Sequence, residues 1–239
     1  NTDIMENALI KIFLTPIKSL LLFLGESRYK TIKLHIINIF SYFGFSNSQN
    51  RMDLQIIEFF NHKKNGTCME VGGADGIDQS NTLHLERKYN WNTYLVEPTS
   101  HQFDLCNKFR KKATVDRYAF VSEETFKVRK SIDIELDGLM SKISSTHNNL
   151  SCIATSIESV PTNTLDNYFK KSKITSIDIL ILDVESYEIE VLEGYRSDTN
   201  IINYLLVEIW DFNKFDSYAF KRGWKFIKKV GNDCLYMLR

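Results

Sequence analysis

The amino-acid sequence predicts an α/β fold, in which a mostly parallel sheet carries helices on both faces. From Arg51 onward, short apolar runs alternate with amphipathic helical segments, which is the pattern of successive strand–helix units. Several of these runs are dominated by Ile, Leu and Val, as in strands that are buried on both faces. The chain ends in two such runs joined by the turn Gly231-Asn232-Asp233, so the last strand must run antiparallel to its neighbour.

The first half of this domain shows a clear order of elements. Residues 52–62 have the apolar spacing of an amphipathic helix, and Asn65-Gly66 breaks it. Three strands are then predicted, with one helix after each of the first two. The strands lie at 67–71, 92–96 and 114–121, and the helices at 80–89 and 99–111.

The second half is interrupted by a stretch without helical period. Apolar and polar residues alternate at 126–129 and 132–136, which predicts strands. Thr164 carries the side chain of a helix N-cap, and Gly194 ends a later helix. The remaining strands are predicted at 177–182, 201–207, 224–230 and 233–239, with a helix at 214–222.

The chain is predicted to comprise a helical extension at 1–50 and a single domain at 51–239. We expect the helices of the extension to pack on this domain, on a partner or on a lost neighbouring domain. Because the sequence starts with Asn1 rather than methionine, we also expect a segment of a longer chain. A fusion with other glycan-building domains is one form that such a chain could take.

Residues 8–24 are the most apolar stretch of the sequence. The stretch is short for a membrane span and is interrupted by Lys11, Lys18 and Pro16, so we expect no transmembrane segment. No small-residue cleavage site follows it, which argues against a signal peptide. Contact of residues 8–45 with a membrane surface is the alternative.

Composition places the chain among ordinary globular proteins, with 43% hydrophobic and 25% charged residues. Its 30 basic and 30 acidic residues balance, which predicts no nucleic-acid partner. The four cysteines are widely spaced and form no C-x-x-C pair. They therefore indicate neither a zinc site nor a redox motif, but buried thiols of a reducing, cytoplasmic compartment.

A glycine-rich turn, Glu70-Val71-Gly72-Gly73-Ala74-Asp75-Gly76, is the strongest local motif. Its small residues allow the backbone to turn sharply and to approach a ligand closely. The carboxylate of Glu70 can meet the ammonium group of a ligand. A phosphate-binding loop or a plain tight turn has a similar sequence, so this motif alone leaves three interpretations open.

Glu97 ends the next predicted strand, 27 residues after Glu70. A carboxylate at this place can accept hydrogen bonds from both hydroxyls of a ribose. Dinucleotide-binding and S-adenosylmethionine-binding sheets share this arrangement, so the two motifs together predict an adenosine cofactor. An NAD enzyme stays an alternative, although no second cofactor-binding half and no hydride-transfer site are evident.

Carboxylates also follow two later strands. Asp183 and Glu185 come directly after the strand at 177–182, and Glu208 ends the strand at 201–207. The carboxyl ends of parallel strands meet at one edge of a sheet, so these three side chains are expected to gather there. Crowded carboxylates raise one another's pKa, which suits a general base, and they can also hold a divalent cation. A solvated helix start is the third interpretation.

Taken in order, these motifs resemble those of the FkbM-type methyltransferases over about residues 65–239. The most specific piece is the pattern D-V-E-G-x-E-x-x-V-L-x-G, in which Ser186 replaces the usual glycine. The resemblance implies a Rossmann-like class I methyltransferase sheet and methyl transfer from S-adenosylmethionine to a hydroxyl group. The matching pieces are MEVGGADG, SNTLHLERKYNW, YLVEP, VPTNTLDNYF, ILDVESYEIEVLEG and YLLVEIW.

The resemblance also implies roles for individual residues. Asp183 and Glu185 would lie beside the transferred methyl group and Glu208 would support them, so these three are the predicted catalytic residues. Glu97 would bind the ribose of the cofactor. The predicted cofactor-binding residues are Glu70, Gly72, Gly73, Ala74, Asp75, Gly76, Ser80, Asn81, Glu97, Pro98, Ala119, Phe120 and Asp183.

Methyl transfer to a sugar hydroxyl requires that the acceptor be aligned and lose its proton. Asp183 is the favoured base; alternatively, Asp183 and Glu208 would bind Mg²⁺ or Mn²⁺. His84, His101 and His147 are the rival bases.

The predicted function is therefore an S-adenosylmethionine-dependent O-methyltransferase that acts on a sugar hydroxyl of a glycan. Residues 139–149 form the candidate lid on the acceptor side. The alternatives are a non-catalytic binding or scaffold module, a methyltransferase of another natural product, and a reductase with a different adenosine cofactor. Neutral net charge argues against an RNA substrate, and the lack of an N-P-P-Y-like motif argues against amide methylation.

Overall fold

The computed structural model describes residues 25–136, 142–143, 156–199 and 201–238. The strands are β1 (Thr67–Val71), β2 (Asn92–Val96), β3 (Thr114–Asp116), β4 (Ala119–Phe120), β5 (Ser131–Leu136), β6 (Lys142–Ile143), β7 (Ser156–Asn163), β8 (Ile177–Leu182), β9 (Ile202–Glu208), β10 (Trp224–Val230) and β11 (Asp233–Leu238). The helices are α1 (Glu26–Tyr42), α2 (Met52–Phe59), α3 (Leu83–Tyr89), α4 (Ser100–Phe109), α5 (Glu123–Val128), α6 (Leu165–Ser172), α7 (Glu188–Glu193) and α8 (Phe212–Lys221). Short 3₁₀ turns lie at Gln49–Arg51 and Ser197–Thr199.

The larger sheet has seven strands in the order β10-β11-β9-β8-β1-β2-β3. The five strands from β9 to β3 are parallel, whereas β11 runs antiparallel to both β9 and β10. This arrangement confirms the predicted sheet, including its reversed last strand. From β1 the chain proceeds to β2 on one side and later returns to β8 on the other. Ligands bind beyond the carboxyl ends of the strands at such a reversal of strand order.

The core lies on both faces of this sheet because successive side chains of a strand point to opposite faces. On β8, Ile179 and Ile181 pack in a cluster with residues of α2 and α3. Leu180 and Leu182, one residue along, pack in a cluster with residues of α6, α7 and α8. Burial of each such side chain stabilises the fold by about 1.5–3 kcal/mol. The prediction of helices on both faces is confirmed.

The described part of the N-terminal extension packs on the domain, which is one of the three arrangements considered above. Leu34 and Ile37 of α1 are buried in a small cluster that includes Leu83 and Phe109. Residues 1–24, with the apolar stretch 8–24, lie outside the described residues. None of the helices in the described part is long and apolar enough to cross a membrane.

Three cysteines were correctly predicted to be buried and free of disulfides. Cys68, Cys106 and Cys234 carry free thiols inside the protein. Cys152 lies outside the described residues.

The predicted strand at 114–121 is wrong as a single element. β3 ends at Asp116, and β4 joins a second sheet in the order β4-β7-β5-β6. Arg117, between the two strands, donates a hydrogen bond to the carbonyl of Pro98 at 3.0 Å and forms an ion pair with Glu158. These contacts hold the chain where it leaves the main sheet.

The predicted strand at 126–129 is also wrong, because most of it belongs to helix α5. Ser122 caps this helix, since its hydroxyl accepts a hydrogen bond from the amide of Thr125 at 3.2 Å. Glu123 and Glu124 lie in the first turn, where the helix dipole favours negative charge. The N-cap and the acidic first turn favour a helix more strongly than the local alternation of apolar and polar residues favours a strand. The neighbouring strand predicted at 132–136 is confirmed as β5.

Candidate active site

A cavity of about 430 Å³ opens beyond the carboxyl ends of β1, β2, β8 and β9. Each of these strands ends in or next to a carboxylate on the cavity wall, namely Glu70, Glu97, Asp183 and Glu208. The four strands are neighbours in the sheet, so the fold gathers acidic groups that lie far apart in the sequence. The volume is that of a typical site for a small molecule.

Gly72 follows β1 and has a φ of 88°, a conformation that favours glycine. A Cβ atom at this position would lie 1.8 Å from the carbonyl oxygen of Asp183. The glycine is therefore required by the close approach of two protein segments, rather than only by a ligand. Any side chain here would displace Asp183 from the cavity wall.

Most of the predicted cofactor residues line the cavity, but Asp75 and Gly76 do not. The carboxylate of Asp75 instead accepts hydrogen bonds from the amides of Ile77 and Asp78, at 2.8 and 2.7 Å. A Cβ atom on Gly76 would lie 3.0 Å from Cys106 and Arg110. Both residues therefore stabilise the turn through contacts within the protein and do not line the cavity. The predicted residues that line the wall are Glu70, Gly72, Gly73, Ala74, Ser80, Asn81, Glu97, Pro98, Ala119, Phe120 and Asp183.

Glu70 is buried, and its carboxylate organises the segment before α3. It accepts hydrogen bonds from the hydroxyl of Ser80 at 3.0 Å, the amide of Asn81 at 2.9 Å and the hydroxyl of Thr82 at 2.5 Å. A carboxylate has about four positions that can accept a hydrogen bond, so one position of Glu70 remains for a ligand. Glu70 thus holds two predicted cofactor-binding residues in place.

Arg110 supports the same segment from the protein interior, and sequence reasoning missed it. Its guanidinium group is fully buried, pairs with Glu86 at 3.1 Å and donates to the carbonyl of Gly76 at 2.8 Å. It also donates to Ser80 at 3.0 Å and to Thr82 at 3.1 Å. Nothing in the local sequence distinguishes this arginine from a surface residue at the end of a helix.

Glu97 is 5% exposed and is fixed by three hydrogen bonds. It accepts from the amide and the hydroxyl of Thr99, at 2.9 and 2.7 Å, and from the amide of Ala74 at 3.0 Å. Burial raises the pKa of Glu97 to about 7, against the opposing effect of these bonds. Its role in binding ribose stays a prediction.

Asp183 is the most perturbed carboxyl group on the cavity wall. Burial, followed by the negative charges of Glu208 and Glu185, raises its pKa to about 8. All three predicted catalytic residues line the cavity, so the structure brings together the group that the sequence pattern indicated. A carboxylate with this pKa is a stronger base than an ordinary aspartate.

The described histidines do not reach the cavity. His84 is buried on α3, where burial lowers the pKa of its ring to about 4, and His101 is exposed on α4. Neither residue lines the wall. His147 lies outside the described residues, as does the predicted lid at 139–149 apart from strand β6.

Within the described ranges, no group of three or more His, Cys, Asp or Glu residues is arranged to hold a metal ion. The metal-binding role of Asp183 and Glu208 therefore stays a prediction, and no step proposed below uses it.

Several residues of the wall were not predicted from the sequence. Trp210, two residues beyond the end of β9, is 71% exposed at the cavity. Gln49 comes from the N-terminal extension, and no motif marks it. The wall residues that sequence reasoning missed are Gln49, Val71, Asp78, Gln79, Thr99, Gln102, Tyr118, Ile134, Val184, Tyr187, Val191 and Trp210.

The sequence profile of the methyltransferase FkbM domain matches residues 70–234, which is more than half of the chain. The match covers the glycine-rich turn and the four strand-end carboxylates. No match was found among the curated proteins with which the chain was compared.

Among solved structures, the chain is similar to a TehB-like SAM-dependent methyltransferase from Corynebacterium glutamicum, with 8% identity and a TM-score of 0.46. That alignment covers 79% of this chain and 88% of the other. The N-terminal domain of human METTL16 in complex with SAH gives 9% identity, coverage of 78% and 69%, and a TM-score of 0.45. A SAM-dependent methyltransferase from Aquifex aeolicus gives 13% identity, coverage of 80% and 92%, and a TM-score of 0.41.

Proposed function

The chain belongs to the methyltransferase FkbM domain family, and on this basis we propose an S-adenosylmethionine-dependent O-methyltransferase that acts on a sugar hydroxyl of a glycan or glycoconjugate. The family supplies the cofactor and the class of reaction. The transfer to oxygen and the sugar acceptor are the proposal.

The residues on the cavity wall fit the parts of this cofactor. Glu70 and Asn81 offer an acceptor and an amide to its amino-acid end, and Glu97 offers a fixed carboxylate to its ribose. Ala119 and Phe120 form an apolar border for its adenine. When bound, S-adenosylmethionine supplies an electrophilic methyl group on a positively charged sulfur, and the acidic wall favours that charge.

Asp183, with its raised pKa on the cavity wall, is the observation that carries the proposal. A sugar hydroxyl is a weak acid, so a positioned base assists its attack on the methyl group. Asp183 would accept the hydroxyl proton while Glu185 and Glu208 orient the acceptor. The negative charges of Glu185 and Glu208 disfavour the ionised form of Asp183, so they strengthen it as a base.

The mouth of the cavity supports a sugar acceptor. Carboxylates suit a ligand that is rich in hydroxyl groups, and a sugar ring also presents an apolar face of C–H groups. Trp210 offers an exposed aromatic surface beside Glu208 on which such a face can pack. Binding sites of this kind combine aromatic contacts with a few well-placed polar groups.

Calorimetric titration with S-adenosylmethionine and S-adenosylhomocysteine tests the cofactor site. We expect the wild type to bind these ligands with micromolar affinity. In Glu97→Ala the affinity should fall at least about tenfold, because the ribose loses a charged partner. Glu193→Ala, which removes an exposed carboxylate of α7, is the matched control. Thermal unfolding of each variant verifies that the fold is intact.

Transfer of a labelled methyl group to a panel of sugars, with and without Mg²⁺, then tests the acceptor. Transfer only to acceptors other than sugars would contradict the sugar assignment. Absence of cofactor binding to the wild type would contradict the methyltransferase activity itself.

A further inference from the structure

A short segment of the N-terminal extension brings Gln49 to the wall of the cavity. Residues 46–49, called here the strap, run beside the segment 77–81 that follows the glycine-rich turn. Ser48 forms an isolated parallel bridge with Gln79, and its hydroxyl donates to the side-chain carbonyl of Asn81 at 2.5 Å. Asn47 donates to the carbonyl of Ile77 at 3.4 Å. The strap is therefore bonded to a segment that lines the cavity.

Further contacts fix both sides of the strap. Asp78 accepts a hydrogen bond from Asn47 at 3.1 Å and forms an ion pair with Lys33 of α1. On the other side, the hydroxyl of Ser46 donates to the buried carboxyl group of Asp53 at 2.7 Å. The extension is thus anchored to the domain by a charged pair, by the buried hydrogen bond from Ser46 and by the bonds from Asn47 and Ser48.

Gln49 itself is exposed and lines the cavity. Within the described part of the chain, no hydrogen bond engages its side-chain amide, in contrast to its neighbours in the strap. The part of the wall around it is polar, with Glu70, Gln79, Ser80 and Asn81. Apolar side chains of β4, β5 and α7 line another part of the wall, namely Ala119, Phe120, Ile134 and Val191.

We propose that the strap is part of the cofactor site and that Gln49 binds the amino-acid end of S-adenosylmethionine. This inference rests on the cofactor of the proposed function. An α-amino acid presents an ammonium group and a carboxylate side by side, and a glutamine amide can accept from one and donate to the other. The bond from Ser48 occupies the carbonyl oxygen of Asn81, so the NH₂ group of Asn81 is left to donate to the same carboxylate.

Calorimetry with two matched ligands tests this inference. S-adenosylhomocysteine and 5′-methylthioadenosine are both uncharged at sulfur, but only the first carries the amino-acid end. We expect Gln49→Ala to weaken binding of S-adenosylhomocysteine about tenfold, as for the loss of one hydrogen bond to a charged group. Binding of 5′-methylthioadenosine is expected to stay within about twofold.

Two further variants separate binding from a structural effect. Gln102→Ala removes another wall glutamine, from α4, and is expected to weaken binding of the two ligands by similar factors. Ser48→Ala removes the bond to Asn81 and is expected to show the same ligand preference as Gln49→Ala. Equal weakening of both ligands by Gln49→Ala, or no change for either, would overturn the inference. If the wild type binds neither ligand, the proposed function fails as well.

Discussion

At the scale of single residues, the chemistry depends on how much each carboxyl group is perturbed by its surroundings. Glu97 is buried but holds three hydrogen bonds, and burial raises its pKa to about 7. For Asp183, burial and the nearby negative charges of Glu208 and Glu185 together raise the pKa to about 8. Neutral Asp183 is thus converted near physiological pH into a base, which suits the removal of a hydroxyl proton.

We expect Asp183→Asn to lower kcat by about 10²–10⁴-fold, because an amide cannot accept the acceptor's proton. In the wild type, kcat/KM for the cofactor should rise with pH and level off above about 8, as Asp183 loses its proton in the free enzyme. The variant should lose the part of this rise centred near pH 8, whereas Glu97, whose pKa is about 7, still titrates. Initial-rate measurements from pH 6 to 9 check both expectations.

Asp178→Asn is the matched control, since Asp178 lies on the same strand but at its opposite end, paired with Lys63. Activity of Asp183→Asn above a tenth of the wild-type value would contradict the role of Asp183 as the base.

At the scale of elements, the turn between β8 and α7 carries strained backbone. Glu185 and Ser186 have φ values of 54° and 75°, in the left-handed region that glycine prefers. Ser186 stands where the motif usually has glycine, and it adopts a conformation that glycine prefers. This turn directs the chain from the sheet edge into α7 and holds Glu185 at the cavity.

We expect Ser186→Gly to raise the free energy of unfolding by about 0.5–1 kcal/mol. A left-handed conformation costs roughly 1–2 kcal/mol for residues other than glycine, and the greater freedom of glycine in the unfolded chain offsets part of this gain. The hydrogen bond from the amide of Ser186 to Glu188, at 3.1 Å, involves the backbone and is retained. Urea denaturation measures the change.

Ser217→Gly, in the interior of α8, serves as the comparison and should destabilise by about 0.5 kcal/mol. If both glycine variants destabilise the protein alike, the turn carries no strain that glycine relieves.

At the scale of the whole molecule, the buried carboxyl groups near the carboxyl ends of the strands lower the stability of the fold once they ionise. Burial raises the pKa of Asp183 to about 8 and the pKa values of Glu97 and Glu188 to about 7. The folded protein therefore binds more protons near neutral pH than the unfolded chain, in which these groups are ionised. Active sites commonly retain such unfavourable groups at the expense of stability.

We expect the free energy of unfolding to fall by roughly 3 kcal/mol between pH 6.5 and 8, because stability decreases with pH wherever the folded state binds more protons. His84, whose pKa is lowered to about 4, acts in the opposite direction, mainly below this range and weakly at its lower end. Urea denaturation at constant ionic strength measures the change. Asp183→Asn should reduce the fall, and a stability that rises over this range would show that these pKa values are not raised.

Much of this protein was determined by the sequence alone. Apolar runs predicted the main-sheet strands β1, β2, β8, β9, β10 and β11, because strands buried on both faces require such residues, whereas β6 and β7 were not predicted. The turn at Gly231 gave the reversed last strand. The strand-end positions of Glu70, Glu97, Asp183 and Glu208 gave the acidic edge, because parallel strands end at the same edge of a sheet.

Only the tertiary structure decided the remainder, because it depends on contacts between segments that are distant in the chain. Arg117 holds the chain where β4 leaves the main sheet, Arg110 supports the glycine-rich turn from the interior, and Gln49 reaches the cavity from the extension. No local pattern marks any of these residues. A sequence motif predicts the local conformation of one segment, whereas the wall of a cavity is formed by several segments that are distant in the sequence.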